Sequence, residues 1–266
     1  MNSRRVLFGA ALVALVAVSL RADETLDSLT GTCRIRALTE SSKFELSMHR
    51  ETDRGDCDSG KHCNASNMDE AVDAFTGITF SDLHREGAHL DAVLTAEAGT
   101  LRCSGKVHDS ELTGSFTFEP NKAFVARMHE LGITGLDSDK LEVYALFHIE
   151  TSWVVALQKA GVTGIDASNL IALHIFNVTP EYVQGLAALG YSVPSAEKLI
   201  GLKVQGVNPT EIKQIQAMGY HPSIDELIQM RIFKVTPDFI ERMKAKGFDN
   251  LTIAKLVQIR IFKIAE

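Results

Sequence analysis

Cysteine is missing from the whole second half of this 266-residue chain: Cys33, Cys57, Cys63 and Cys103 all lie before residue 120. Disulfides and thiolate metal sites are therefore excluded beyond that point. After Val18 no apolar run is long enough to cross a bilayer. There is no HExxH, no Gly-rich phosphate loop and no G-x-S-x-G elbow, which removes three widespread catalytic arrangements. Positive charge is also lacking where a nucleic-acid binder needs it. Residues 23–120 hold 19 Asp or Glu against 9 Lys or Arg, a net of −10, and residues 121–266 hold 15 of each. An acidic domain repels phosphate backbones, so nucleic acid is excluded as a partner.

What fills the second half is one unit repeated five times at a spacing of 28 or 29 residues. Its first apolar stretch ends at Gly132, Gly161, Gly190, Gly219 and Gly247, and its second opens at Leu141, Leu170, Leu199, Leu227 and Leu256. Units of this size stack because none buries its apolar face alone. The first stretch has apolar residues at helical offsets, as in Phe124, Val125, Met128 and Leu131, repeated by Trp153, Val154, Leu157 and Ala160. Thr179-Pro180-Glu181, Asn208-Pro209-Thr210-Glu211 and Thr236-Pro237-Asp238 combine a capping oxygen, a proline suited to the first turn and an acid favoured by the helix dipole. The second helix is capped four residues before its Leu, by Asp137, Asp166, Ser195, Ser223 and Thr252. Sequences such as Leu227-Ile228-Gln229-Met230-Arg231-Ile232-Phe233 are apolar nearly all round, which predicts a helix sandwiched in the inner layer of the stack. The lone tryptophan, Trp153, falls on the stripe shared with Phe124 and Tyr182 and reads as packing.

The amino terminus carries an address. Arg4 and Arg5 precede an apolar run from Val6 to Val18, with small residues near Ser19 and Ala22. This is the pattern of a cleavable export signal over residues 1–22, with an uncleaved anchor as the alternative. A periplasmic or secreted location follows, with no stable membrane span once the signal is removed.

Residues 23–120 read as an antiparallel β domain, a small sandwich or open barrel. Cys33, Ile35 and Ala37, then Phe44, Leu46 and Met48, alternate with partners such as Arg34, Arg36, Glu45 and Ser47. Leu90–Ala96, Thr100–Val107 and Leu112–Phe118 are separated by Glu97-Ala98-Gly99 and His108-Asp109-Ser110, which supply turn chemistry. Asp69–Phe75 is expected to form a short helix. In an exported chain an even cysteine count favours disulfides, and the expected pairs are Cys57–Cys63 and Cys33–Cys103. A competing reading is metal: His49, His62, His84, His89 and His108 lie in this domain, and Asp56, Cys57, Asp58, His62 and Cys63 crowd one loop. Asn64-Ala65-Ser66 matches a glycosylation acceptor.

One column interrupts the apolar repeats. His174, Lys203, Arg231 and Arg260 occupy equivalent places, with Ala145 in the first unit. They are either a row of positive charge presented to an acidic partner, or snorkelling side chains whose stems cover apolar neighbours.

Val178-Thr179-Pro180-Glu181-Tyr182-Val183 through Leu189-Gly190-Tyr191, followed by Leu199–Val207, resembles a repeat of bacterial exported proteins. Similar arrays follow the peptidase part of some members of the beta-lactam-sensor metallopeptidase family. Glu97-Ala98-Gly99-Thr100 and Phe116-Thr117-Phe118-Glu119-Pro120 resemble the strand-rich segment that precedes those arrays. The peptidase part, with its zinc motif, has no counterpart here, so no catalytic residue is implied. The resemblance implies an extracytoplasmic sensing or interaction module.

The expectation is thus an α+β chain: a signal over 1–22, a β domain over 23–120 and an α-solenoid of about five helical hairpins over 121–266. Its expected role is non-enzymatic binding of a protein or peptide, with no cofactor. The alternative is a metal-dependent enzyme or metal-binding protein that uses the His-rich β domain.

Overall fold

The computed structural model describes residues 26–38, 43–50, 65–71 and 75–264. The expected signal, the loop carrying Asp56, Cys57, Asp58, His62 and Cys63, and Asn64 lie outside the described residues, so the Cys57–Cys63 pairing does too.

Alternating apolar residues build one antiparallel sheet. Its strands are β1 (Leu29–Leu38), β2 (Lys43–His49), β3 (Ala65–Ala71), β4 (Phe75–Thr76), β5 (His89–Ala96), β6 (Gly99–His108) and β7 (Glu111–Pro120). They lie in the order β3-β2-β1-β7-β6-β5-β4, two meanders joined where β1 pairs with β7. The two edge strands are consecutive in the chain. Four Cα steps separate Ala71 from Phe75, at most about 15 Å, whereas seven flat strands would span about 29 Å. The sheet must therefore curl, and it forms a half-barrel. Of the two expected arrangements, the open barrel is the one formed. Ile35, Phe44, Leu46, Leu94, Leu101, Leu112, Phe116 and Phe118 fill its interior.

The expected disulfide Cys33–Cys103 is present, with Cα atoms 6.0 Å apart. It joins β1 to β6 across the intervening β7, where two flat strand spacings would measure about 9.6 Å. Cys33 pairs in register with Gly114, and Gly114 pairs with Gly105 on β6. A Cβ on Gly114 would sit 2.0 Å from the Ser104 oxygen, and one on Gly105 would sit 2.0 Å from the Thr113 oxygen. This glycine pair lets β6 and β7 approach closely beneath the disulfide.

The expected helix over Asp69–Phe75 is not formed. Residues to Ala71 belong to β3, which pairs along the whole of β2, and Phe75 opens β4. Asn, Asp, Glu and Ala are weak strand formers, but the open hydrogen-bonding edge of β2 overrides local preference.

Ten helices follow: α1 (Lys122–Glu130), α2 (Ser138–Leu146), α3 (Thr151–Lys159), α4 (Asn169–Ile175), α5 (Pro180–Ala188), α6 (Ala196–Val204), α7 (Pro209–Ala217), α8 (Ile224–Ile232), α9 (Pro237–Ala245) and α10 (Ile253–Ile261). They form five hairpins, in which α4, α6, α8 and α10 touch in succession, as do α5, α7 and α9, and α1 touches α3, so odd and even helices make two layers. The fold is α+β with a helical repeat. Asp137, Ser195, Ser223 and Thr252 cap the even helices as expected, and Thr179, Asn208 and Thr236 cap the proline-led odd ones. Asp166 Oδ1 also accepts amides, from Ser168 and Asn169 at 2.8 Å each, although regular helix begins only at Asn169.

All ten helices stop in the same way. A residue in the left-handed region follows the last turn, and the next amide bonds back to a carbonyl five residues earlier, as Ile133 to Met128 at 2.9 Å and Val235 to Met230 at 2.7 Å. Odd helices use glycine. Even helices use His148, Asn177, Gly206, Lys234 and Lys263.

Sheet and helices share one core. Helix α2 packs on β5, β6 and β7, and a continuous apolar cluster runs from the half-barrel to Leu227. Glu97, in the β5–β6 turn, accepts the Thr151 amide and hydroxyl at 2.9 Å each, which caps α3 from outside the repeat. Among the described residues, no helix is long and apolar enough to cross a membrane.

Candidate interaction surface

The basic column is turned inward within each hairpin. His174 stands edge-on to Trp153, with ring centroids 5.3 Å apart, and burial lowers its pKa. The Lys203 ammonium lies 4.8 Å from the Tyr182 ring centre. Arg231 pairs with Glu211 at 3.0 Å, and the Arg260 guanidinium lies 4.3 Å from the Phe239 ring centre. Trp153, Tyr182, Glu211 and Phe239 are themselves equivalent positions on the odd helices. The column therefore meets a second column, aromatic in three units and acidic in one. Such cation–ring contacts contribute about 0.5–2 kcal/mol each.

Two of these residues also bridge successive units. Arg231 Nε donates to the Gln205 oxygen at 2.9 Å, and Arg260 Nε and Nη2 donate to the Lys234 oxygen at 3.2 and 2.9 Å. Carbonyls at a helix end lack intrahelical donors and carry the negative end of the dipole, so a cation there is favoured. The odd layer repeats the device with other residues: Gln158 donates to the Leu131 oxygen, Gln216 to that of Leu189, and Lys244 to that of Met218.

Next to this column lies one that the periodicity did not reveal. Ile175, Val204, Ile232 and Ile261 close the last turn of α4, α6, α8 and α10, and they are 53, 48, 50 and 47% exposed. One turn earlier, Ile171, Ile200 and Ile228 are half-buried on the same face. The even helices were expected to be covered all round. Instead, their odd partners and their neighbours cover two sides, and a row of equivalent aliphatic residues is left facing solvent. Isolated exposed aliphatic residues are ordinary, but an aligned row is not. In the first unit the same place, Leu146, is buried, so the band begins at α4.

From α4 onward, even helices contact one another more extensively than odd helices do. On α4 and α6 small residues allow this: a Cβ on Gly201 would lie 3.4 Å from Ile228 Cδ1, and Ala172 holds the equivalent place on α4, whereas α8 has Gln229 there. The borders of the apolar band are charged. Helix carboxy-termini bring Lys203, Arg231, Lys234, Arg260 and Lys263 to one edge, where Glu211 offsets Arg231. Asp166 and Glu197 stand at the opposite edge, beside a groove of ≈ 360 Å³ between α4 and α6, and Asp225 follows on α8, where Lys198 offsets it.

Titratable groups elsewhere fall into local pairs. His108 Nδ1 lies 2.7 Å from Glu86, and the Glu86 carboxylate raises the imidazole pKa. His49 ends β2, His84 sits in a 3-10 turn and His89 opens β5. Among the described residues, no three His, Cys, Asp or Glu side chains come together to hold a metal. Among the described residues the one buried acid is Glu142 of α2, 5% exposed, with Oε2 3.4 Å from Arg50 and Oε1 without a hydrogen-bond partner there. Arg50 also pairs with Asp139, so the three charges join the end of β2 to α2.

In comparisons with known proteins, the chain matches no family model, no curated protein and no solved structure.

Proposed function

We propose that this chain is a non-enzymatic module that binds a segment of another protein outside the cytoplasm. The binding surface is the solvent-facing side of the even-helix layer, bordered at the helix carboxy-termini by the exposed Lys234 and Lys263. One observation carries the reading: an aliphatic side chain is repeated at a half-exposed position in four successive units. Burying such side chains yields about 25 cal/mol per Å² of apolar surface, so a partner laid along the band gains from each unit it crosses. The Cys33–Cys103 disulfide supports an oxidising compartment, and the apolar leader with Arg4 and Arg5 supports export. The half-barrel then acts as a rigid end-piece that holds the first hairpin through α2 and Glu97.

A photoreactive residue in place of Val204, compared with one in place of exposed Lys213 on the odd layer, tests this in the native host. The expected result is one defined adduct at Val204, none at Lys213, and loss of the Val204 adduct when Ile175 and Ile232 become Ser. Equal labelling at both positions, or none at either, overturns the reading.

A further inference from the structure

The band has a period and two differently charged borders, and together these specify an occupant. Stacked helices lie about 8–10 Å apart. A partner helix laid across α4, α6, α8 and α10 presents side chains seven residues apart at intervals of about 10.5 Å. The heptad interval exceeds the helix spacing by only about 0.5–2.5 Å, so one apolar residue per heptad stays near one aliphatic residue per unit: Ile175, Val204, Ile232 and Ile261. A second apolar residue in each heptad reaches the half-buried positions one turn earlier, Ile171, Ile200 and Ile228. Residues flanking an apolar seam point to either side of it. On one side they would face Lys234 and Lys263; on the other they would face Asp166, Glu197 and Asp225, the last already paired with Lys198.

Resting on the proposed binding role of this face, we propose that its partner is an amphipathic helix with a heptad apolar seam, acidic along one flank and basic along the other. The opposed borders also fix its direction, because reversing the helix end for end would exchange the flanks.

The test uses three synthetic helical peptides of four heptads with the same leucine seam. One has a glutamate flank and a lysine flank, one has glutamate on both, and one has lysine on both. Fluorescence anisotropy with the purified protein at low salt is expected to show the mixed peptide binding about tenfold tighter than either single-sign peptide. Raised salt should narrow that gap. Val204→Asp combined with Ile232→Asp should abolish binding; the milder Val204→Ser should weaken it while circular dichroism stays unchanged. Equal affinity for all three peptides, or no binding of the mixed one, overturns the proposal. So does sedimentation showing a dimer that Ile232→Asp dissociates. A Val204 adduct in the host without mixed-peptide binding would leave the binding role intact and remove only the helix; absence of both would remove both.

Discussion

Arg231 reaches back across a repeat boundary to the main-chain oxygen of Gln205, 2.9 Å from its Nε, while its Nη1 holds Glu211 at 3.0–3.1 Å. One side chain thus serves the end of the previous even helix and the odd helix of its own unit. The odd layer shows the same boundary contact with Gln216 and Leu189. Side chains that reach terminal carbonyls therefore couple neighbouring units in both layers, in addition to the apolar core.

Replacing Arg231 with Ala removes two charge-assisted contacts and strands Glu211, whose side chain is only 14% exposed. The expected loss is about 2 kcal/mol, read as a lower denaturant midpoint with an unchanged slope. Glu211→Gln in the same chain should recover part of the loss, because the stranded charge is then gone. A midpoint unmoved by Arg231→Ala would mean that the apolar core alone couples the units.

Glu142 supplies a pH test. Burial, the largest influence on it, raises its pKa above the ordinary 4.5, against the pull of Arg50. A raised folded value means that the native state favours the protonated acid. Its contribution to stability is complete below the unfolded value and declines as pH rises through the folded one. Glu142→Gln fixes the neutral form, so the variant should melt above the parent at pH 7, with the difference vanishing below about pH 4. A variant less stable than the parent at pH 7 would show that the Arg50 contact outweighs the burial cost.

The glycines at 132, 161, 190, 219 and 247 and the Thr-Pro and Asn-Pro starts made both ends of the odd helices legible, because each residue type answers a backbone demand. The strands were legible where buried and exposed residues alternate, as in Leu112, Phe116 and Phe118. β3 was not, since its polar residues are ordered by the edge of β2 rather than by their own preference. Exposure of Ile232 was hidden for a different reason: an apolar pattern reports which residues tend toward burial, not which are finally covered. Glu97 stood in a turn recognisable from sequence, but its acceptance of the Thr151 amide depends on contact 54 residues away. The basic column was legible as a column, and its aromatic partners were visible one by one; only folding the hairpin brought Lys203 over Tyr182.

Left-handed helix ends give a third prediction. Lys234 holds φ at 55°, a conformation costing about 1–2 kcal/mol for a residue with a Cβ. Lys234→Gly should therefore stabilise the protein by about 0.5–1 kcal/mol after allowing for the extra freedom of the unfolded chain. Gly190→Ala, at φ 89° with open space around the added Cβ, should destabilise it by a similar amount from backbone strain alone. Opposite signs in calorimetry at the two sites would confirm that the caps obey one rule. A loss at both would mean that the Lys234 side chain makes a contact worth more than the strain.

The crossing of Cys33–Cys103 over β7 gives the last. The bond closes a separation of 70 residues, and chain entropy alone assigns about 4 kcal/mol to such a loop. All variants would carry Cys57→Ser and Cys63→Ser, so that a reductant acts on this one bond. In that background, reduction should lower the denaturant midpoint by an amount matching about 2–4 kcal/mol. Cys33→Ala with Cys103→Ala should begin at the lower midpoint and ignore the reductant. Gly114→Ala separates the bond from the close strand approach beneath it. Its Cβ would meet the Ser104 oxygen at 2.0 Å, which forces β6 from β7 whether or not the sulfurs are joined. The alanine variant should thus be destabilised in both redox states. If reduction alone restored it to the stability of the reduced parent, the bond rather than the strand contact would be what demands glycine at that position.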